Sequence, residues 1–291
     1  MIQETASFQP QATGVLYLVP TPIGNLQDLS ARAVQTLKDV DLIAAEDTRN
    51  TQKLLNHFEI TTPKISFHEH NTQQRIPELL QKLQHGLSIA QVSDAGMPSI
   101  SDPGKELVNA CITAGIQVVP LPGPNAALTA LIASGLAPQP FYFYGFLPRK
   151  ATQMHQELAQ LAQLSVTFIL YESPYRVQKT IQSLIQAVGE ERQVVLAREL
   201  TKVHEAFLRG TLAQVQTYFQ EHEPRGEYVI LVAGKTPTAV AKHLDDAQLK
   251  QLVQTQVDAG IKPNAAIKKV AHEYQENRQD VYNIYHGLES D

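Results

Sequence analysis

Short apolar, β-branched runs alternate along the first half of the chain with segments whose apolar residues recur at helical spacing. Residues 14–20 read as a strand that enters a Pro/Gly turn at 21–26, and the spacing predicts a helix over 28–40. A second strand over 42–45 is followed by Glu-Asp-Thr-Arg (46–49) and a helix over 51–58. A third, 64–67, leads into His-Glu-His-Asn (68–71) and a helix through Leu79, Leu80 and Leu83. Residues 87–92 form a fourth strand and 105–114 the helix after it, with Val-Ser-Asp-Ala-Gly-Met-Pro-Ser-Ile-Ser-Asp-Pro-Gly (92–104) between them. Strand 116–120, the turn 121–125 and a small-residue helix over 126–134 complete the series. Strands that alternate with helices in this way predict an open parallel α/β sheet covered on both faces.

The long segment 92–104 is the centre of this pattern. Ser, Asp, Gly and Pro at the carboxyl end of a strand make a binding loop, because in open α/β sheets ligands sit outside those ends. Asp102 and Pro103 also suit the N-cap and first position of the next helix.

The pattern changes near 141–150, Phe-Tyr-Phe-Tyr-Gly-Phe-Leu-Pro-Arg-Lys, where aromatic and basic residues gather. Beyond it strands are predicted at 166–171, 194–197, 205–209 and 228–233 and a helix at 174–188, and fewer helices per strand predict a mixed sheet. Three short helices follow at 245–259, 264–274 and 279–287, with the size and rhythm of either a helix-turn-helix unit or a plain bundle. The expected organisation is a loose tail (1–13), an α/β domain (14–140), a second α/β domain (141–235) and a tri-helical module (236–291).

Composition narrows the class. With 291 residues, 43% hydrophobic and 18% charged, the chain can bury a proper core. The net charge of −5 excludes a generic polyanion binder, so any nucleic acid must meet a local patch. From Thr236 onward six Lys/Arg face eight Asp/Glu, and charge lends the module no support as a nucleic-acid binder. No apolar run reaches a membrane span, and residues 1–13 lack the features of a secretory or transit peptide. The single cysteine, Cys111, allows no internal disulfide, suits the cytoplasm and falls on the apolar side of a helix.

Several chemistries are missing: no Gly-x-Gly-x-x-Gly after the first strand, no Walker A sequence, no nucleophile elbow and no zinc-site spacing. His68 and His70 without a third ligand are a weak metal signal, and no metal is expected. What remains are three Pro/Gly loops at strand ends, 20–26, 94–104 and 122–126, whose backbone groups can hold the carboxylate, amine and adenine of a compact zwitterion.

Val-Pro-Thr-Pro-Ile-Gly-Asn-Leu (19–26), Ala-Glu-Asp-Thr-Arg (45–49), Ser-Asp-Ala-Gly-Met-Pro-Ser-Ile-Ser-Asp-Pro-Gly (93–104), Leu-Pro-Gly-Pro-Asn-Ala (121–126), Tyr-Glu-Ser-Pro-Tyr-Arg (171–176) and Ala-Arg-Glu-Leu-Thr-Lys (197–202) occur in one order. Together they resemble the small-subunit ribosomal RNA cytidine 2′-O-methyltransferases of the tetrapyrrole-methylase fold group. Met97 stands where that pattern commonly has Thr, and Ser99 where it has Leu.

The resemblance implies two α/β domains with S-adenosylmethionine in the cleft between them, a homodimer, and small-subunit ribosomal RNA or the assembled subunit as substrate. Carried over by position, Pro22, Ile23, Asp94, Met97, Ile100, Ser101, Asn125, Ala126 and Tyr171 line the cofactor pocket, with Ala206 and Ala233 closing it from the second domain. The methyl acceptor is then a ribose 2′-hydroxyl, whose proton needs an acceptor. Candidates at strand ends are Glu46, Asp47, Arg49, His68, Glu69, His70, Asn71, Glu172, Arg198, Glu199 and Lys202. Asp47, Glu172 or Glu199 is favoured as proton acceptor, with Arg49, Arg198 and Lys202 holding phosphate or lowering the hydroxyl's pKa. A structural ion pair of the Arg49–Glu199 kind is the competing expectation. His68, His70, Asn71, Arg149 and Lys150 complete the expected RNA surface, with the aromatic residues of 141–150 as stacking faces. Two other readings stay open: a small-molecule methylase of the same fold, and a non-catalytic RNA-binding assembly protein.

Overall fold

The computed structural model describes residues 4, 6, 7, 12–235, 244–274 and 276–288. Most of the expected tail lies outside them, as do residues 236–243, 275 and 289–291. The chain forms two compact units, Met1–Gly234 and Lys235–Asp291.

The first unit begins with a parallel sheet of β1 (Val15–Leu18), β2 (Leu42–Ala45), β3 (Lys64–Ser66), β4 (Ile89–Val92) and β5 (Gln117–Pro120), ordered β3-β2-β4-β1-β5. β2 and β4 are buried at every position, as expected of strands covered on both faces. On one face Val19, Ile43 and Val119 pack with Leu37 of α1 (Ala31–Asp39) and Leu55 of α2 (Thr48–His57). On the other, Leu16 and Ile89 pack with Leu79 of α3 (Thr72–Gln84) and with Leu107 and Cys111 of α4 (Lys105–Thr113). Cys111 is thus a core residue, and burial pushes its thiol up to about 12.

Because β4, β1 and β5 are neighbours, the loops after these three strands lie side by side at the carboxyl edge of the sheet. That is the place where such a sheet binds ligands.

The second sheet contains β6 (Phe141–Phe146), β7 (Thr167–Glu172), β8 (Gln193–Arg198), β9 (Ala206–Thr211) and β10 (Tyr228–Val232), ordered β6-β7-β10-β8-β9. It is mixed, as expected: β6 and β7 run parallel, and every other pairing is antiparallel. Tyr228, at the start of β10, is therefore flanked by Glu172 and Arg198 at the ends of β7 and β8. One face is covered by α6 (Ala151–Leu161), α7 (Val177–Val188) and α8 (Leu212–Glu221). The other receives α5 (Ala126–Ser134), whose Ala127, Ala130 and Leu131 pack on Ile169, Val195, Val229 and Leu231. The small residues of α5 permit this close seat, and each large aliphatic buried there contributes about 1.5–3 kcal/mol. α5 thereby joins the two sheets.

Several boundaries differ from expectation. Residues Leu26–Asp28 form a 3₁₀ turn, and α1 starts only after Ser30, whose Oγ accepts from Ala33 N at 3.1 Å. α2 starts earlier, at Thr48, because Asp47 caps it. Asp102 and Pro103 do not begin α4; Gly104 precedes it, without a side-chain cap. α6 and α8 add to the one helix expected in this half, and their buried Met154, Leu158 and Leu161 and Leu212, Val215 and Phe219 recur at helical spacing. α7 starts at Val177 because 173–176 fold into a turn closed by Arg176 N→Ser173 O at 3.1 Å.

In the second unit α9 (Asp246–Asp258), α10 (Pro263–Tyr274) and α11 (Arg278–His286) bury Leu249, Val253, Ile267, Val270 and Val281 together. Among the described residues no helix is long and apolar enough to cross a membrane.

Candidate active site

Three loops of the first sheet meet at Gly96. Thr21, after β1, exchanges backbone hydrogen bonds with Gly96 at 2.9 and 3.0 Å, and its hydroxyl donates to Ser93 O at 3.1 Å. A Cβ on Gly96 would stand 3.4 Å from the Ile23 side chain and 3.6 Å from Pro124 O, so the β5–α5 loop is in contact as well. The long loop is also tied to its own strand: Gln91, 1% exposed, donates to Pro103 O at 2.8 Å.

Above these loops lies a cleft of about 320 Å³, within the usual range for small-molecule sites. The first sheet's loops contribute Ile23, Glu46, residues 94–97, residues 100–102, Asn125 and Ala126; the second sheet contributes Phe146, residues 171–173, Ala197, Leu200, Lys202 and residues 227–229. Asn125 caps α5, its Oδ1 accepting from Leu128 N at 3.0 Å. Tyr171 reaches across from β7, and its hydroxyl accepts from Ala127 N at 3.1 Å. The Tyr171 ring is held edge-on by Phe143 and Phe146 at 5.0 and 5.5 Å. Burial raises its pKa, so the phenol stays neutral.

One wall of the cleft is acidic. Glu46 Oε2 accepts from Asp94 N at 3.1 Å, and Asp94 accepts from Asp47 N at 3.2 Å and Asn50 Nδ2 at 3.1 Å. Burial, and secondarily the neighbouring carboxylates, raises the pKa of both Glu46 and Asp102. None of Glu46, Asp94 and Asp102 forms a salt bridge with a described residue. Carboxylates gathered without a salt bridge favour a cationic ligand, and Ile23, Met97, Ile100, Leu200 and Val229 offer that ligand an apolar bed.

The cleft thus brings together Ile23, Glu46, Asp94, Met97, Ile100, Ser101, Asn125, Ala126, Tyr171, Glu172 and Lys202 of the expected residues. Pro22 is adjacent but off the lining, and Ala206 and Ala233 are replaced by Ala197, Leu200, Tyr228 and Val229.

The favoured proton acceptors fare differently from expectation. Glu172, 4% exposed, is spent on structure, accepting from Ser173 N at 2.9 Å and Thr180 Oγ1 at 2.7 Å, with Arg176 Nε at 3.6 Å. Asp47 accepts from Arg49 N, Nε and Nη2 at 2.8, 3.1 and 2.7 Å. The Arg49 side-chain hydrogen bond leads in holding this carboxyl at about 2, which makes it a poor base, and it lies off the cleft lining. Glu199 is opposed by burial, but hydrogen bonds from Lys202 Nζ at 2.8 Å and Glu227 N at 2.9 Å prevail and lower its pKa. Structural ion pairs of the competing kind do form, with other partners than Arg49–Glu199: Arg49 takes Asp47, and Lys202 takes Glu199 and, at 2.9 Å, Glu227.

Arg198 lies beside this network, its Nη2 3.4 Å from His204 O. His68, His70 and Asn71 are off the cleft lining. Asn71 closes the turn after β3 by accepting from His68 N at 2.9 Å and donating to Ser66 O at 3.2 Å. The His68 and His70 rings stand 6.0 Å apart, and no group of metal-ligating side chains occurs among the described residues. Arg149 and Lys150 are exposed just beyond β6. Sequence reasoning missed Asp102, Phe146, Leu200, Glu227, Tyr228 and Val229 as lining. Pro224-Arg-Gly226, a Pro/Gly turn at the start of β10, was the available signal.

Two α/β halves sharing a cleft with an acidic and an apolar wall define the class: residues 15–216 match the family model of tetrapyrrole (corrin/porphyrin) methylases. The solved uroporphyrin-III C-methyltransferase of Thermus thermophilus complexed with S-adenyl homocysteine has the same fold. It superposes with a TM-score of 0.55 at 18% identity, covering 76% of this chain and 97% of that chain. A protein of Streptococcus pyogenes serotype M1 named ribosomal RNA small subunit methyltransferase I is 53% identical over 288 residues, 99% of this chain and 100% of that protein. Its namesake in Synechocystis is 50% identical over 278 residues, 96% of this chain and 99% of that protein. The chain belongs to the tetrapyrrole methylase family, among the proteins named ribosomal RNA small subunit methyltransferase I. The α/β class with two sheets and a helical end, expected from sequence, agrees with this family.

Proposed function

We propose that the chain transfers a methyl group from S-adenosylmethionine to the 2′-hydroxyl of a cytidine in small-subunit ribosomal RNA, in the cytoplasm and as a homodimer. The observation that carries the cofactor is the cleft's pairing of an apolar bed with three carboxylates that form no salt bridge with a described residue. Asp94, Glu46 and Asp102 suit the positive charges of such a molecule, and Ile23, Met97, Ile100 and Tyr171 its apolar surfaces. When bound, the cofactor supplies a methyl group on a sulfonium, a leaving group that needs no activation. The protein's tasks are then to position the hydroxyl and accept its proton.

Glu46 is the proton acceptor we favour over Asp47, Glu172 and Glu199. It lines the cleft, is half-buried, and accepts from Asp94 N at 3.1 Å, whereas its rivals are saturated by several internal partners. Lys202, tethered to Glu199 and Glu227, places a positive charge on the opposite wall. Arg49, whose side chain is 88% exposed, and the exposed Arg149 and Lys150 are suited to phosphate. Leu128 and Ile132, exposed on α5, give a second copy an apolar surface to cover.

The RNA substrate rests on the relatives' names, while the fold alone would equally serve a small-molecule methylase. Mass mapping of ribosomal RNA from cells with and without the gene decides between them. One ribose methyl on a small-subunit cytidine should disappear; an unchanged map would reject the RNA assignment.

A further inference from the structure

Just outside the cleft stands a tyrosine that packing does not explain. Tyr175 is 96% exposed, two residues beyond the cleft-lining Ser173. Yet the turn that carries it is rigidly held. Arg176 N closes it on Ser173 O at 3.1 Å, and buried Glu172 anchors its start through Ser173 N at 2.9 Å and Thr180 Oγ1 at 2.7 Å. The Arg176 guanidinium anchors its end, donating to Leu147 O and Pro148 O at 3.2 Å each. Those two carbonyls immediately precede Arg149 and Lys150, both exposed and neither in an ion pair with a described residue. On the cleft side the same segment begins with Phe146, 57% exposed and edge-on to Tyr171.

We propose that Tyr175, presented by this pinned turn beside Arg149 and Lys150, is the platform on which a base of single-stranded RNA flanking the target ribose stacks. The proposal deepens the reading of the chain as an RNA methyltransferase and rests on it. An aromatic face on a fixed turn gives up only its own side-chain freedom when a base stacks on it, and any base can stack on it, while the two adjacent cations meet the phosphates on either side. With the cofactor and the target nucleoside in the cleft, the neighbouring nucleotide of the strand would lie outside it, on the rim next to Ser173 where Tyr175 stands.

The test uses the full chain with small ribosomal subunits lacking the methyl group, comparing wild type, Tyr175→Ala, Tyr175→Phe and the double variant Arg149→Ala/Lys150→Ala. For Tyr175→Ala the KM for subunits should rise roughly tenfold, with S-adenosylmethionine affinity unchanged. Tyr175→Phe, which keeps the ring, should restore the wild-type KM. The double variant should weaken RNA binding and flatten its salt dependence, the log–log slope falling by about 0.7 for each phosphate no longer neutralised. An unchanged KM in Tyr175→Ala, or Tyr175→Phe as impaired as Ala, would overturn the platform. So would a loss of dimer mass in Tyr175→Ala, which would assign the residue to a second copy. If the wild-type chain binds S-adenosylmethionine but methylates no subunit, the RNA reading itself fails and takes the platform with it; normal wild-type turnover with an indifferent Tyr175 removes the platform alone.

Discussion

Replacing Gly104 by Ala should dismantle the long loop from its far end. Gly104 has φ 144°, and a Cβ there would stand 1.9 Å from Gln91 Nε2 and 2.2 Å from Ser99 Oγ. Gln91 cannot simply step aside, being 1% exposed and bonded to Pro103 O at 2.8 Å. Holding a non-glycine residue at such a φ costs about 1–3 kcal/mol, and stranding the buried Gln91 amide costs about 1–3 kcal/mol more. The sum, roughly 2–6 kcal/mol, is a large part of the 5–15 kcal/mol typical of a whole domain. Gly115 supplies the control: its φ is +70°, but a Cβ there meets nothing within 4 Å. Gly115→Ala should therefore lose only the backbone part, about 1–2 kcal/mol. Urea melts of both variants give the stability difference, and calorimetric titration with S-adenosylmethionine reports the loop, which should bind the cofactor weakly or not at all in Gly104→Ala. If Gly104→Ala melts like Gly115→Ala and titrates like wild type, the loop is not held by the Gln91 clamp.

Further consequences concern the acidic wall and its neighbours. Asp94→Asn should reduce cofactor affinity about 10–100-fold, since hydrogen bonds to a charged group are worth about 1.5–3 kcal/mol; calorimetry measures it. Glu46→Gln should lower kcat roughly 10²–10⁴-fold with a smaller effect on cofactor binding, and turnover at saturating RNA distinguishes the two. Burial raises the Glu46 carboxyl, so the folded chain holds that proton more tightly than the unfolded chain does. Ionising Glu46 thus destabilises the fold above its folded pKa, and Glu46→Gln should be more stable than wild type at neutral pH, the gain vanishing as pH falls below the ordinary glutamate range. Tyr171→Phe removes the acceptor of Ala127 N at the start of α5 and should cost about 1–3 kcal/mol in a urea melt.

Local patterns carried the first sheet well. Residues 126–134 were legible as a helix to the residue, because Asn125 caps them and Gly135, at φ 81°, ends them. The three Pro/Gly loops could be placed together because parallel strands with intervening helices bring their carboxyl ends to one edge. Sequence spacing could not show which carboxylates were already taken. Glu172 looks free beside Ser-Pro-Tyr, but Thr180, one helical segment later, claims it. Asp47 reads as a candidate base until Arg49, two residues away, turns back on it. The second domain's lining was harder still. In a mixed sheet Tyr228 enters at the start of β10, beside the ends of β7 and β8, so inspecting only strand ends overlooks it.

Methyl transfer from this cleft to a ribose oxygen of small-subunit ribosomal RNA has a direct test. Small subunits from cells lacking the gene, incubated with the purified chain and S-adenosylmethionine labelled in its methyl group, should gain label. After digestion to nucleosides that label should appear in 2′-O-methylcytidine alone. Label in a base-methylated nucleoside, or no label in RNA while a tetrapyrrole accepts it, would contradict the account.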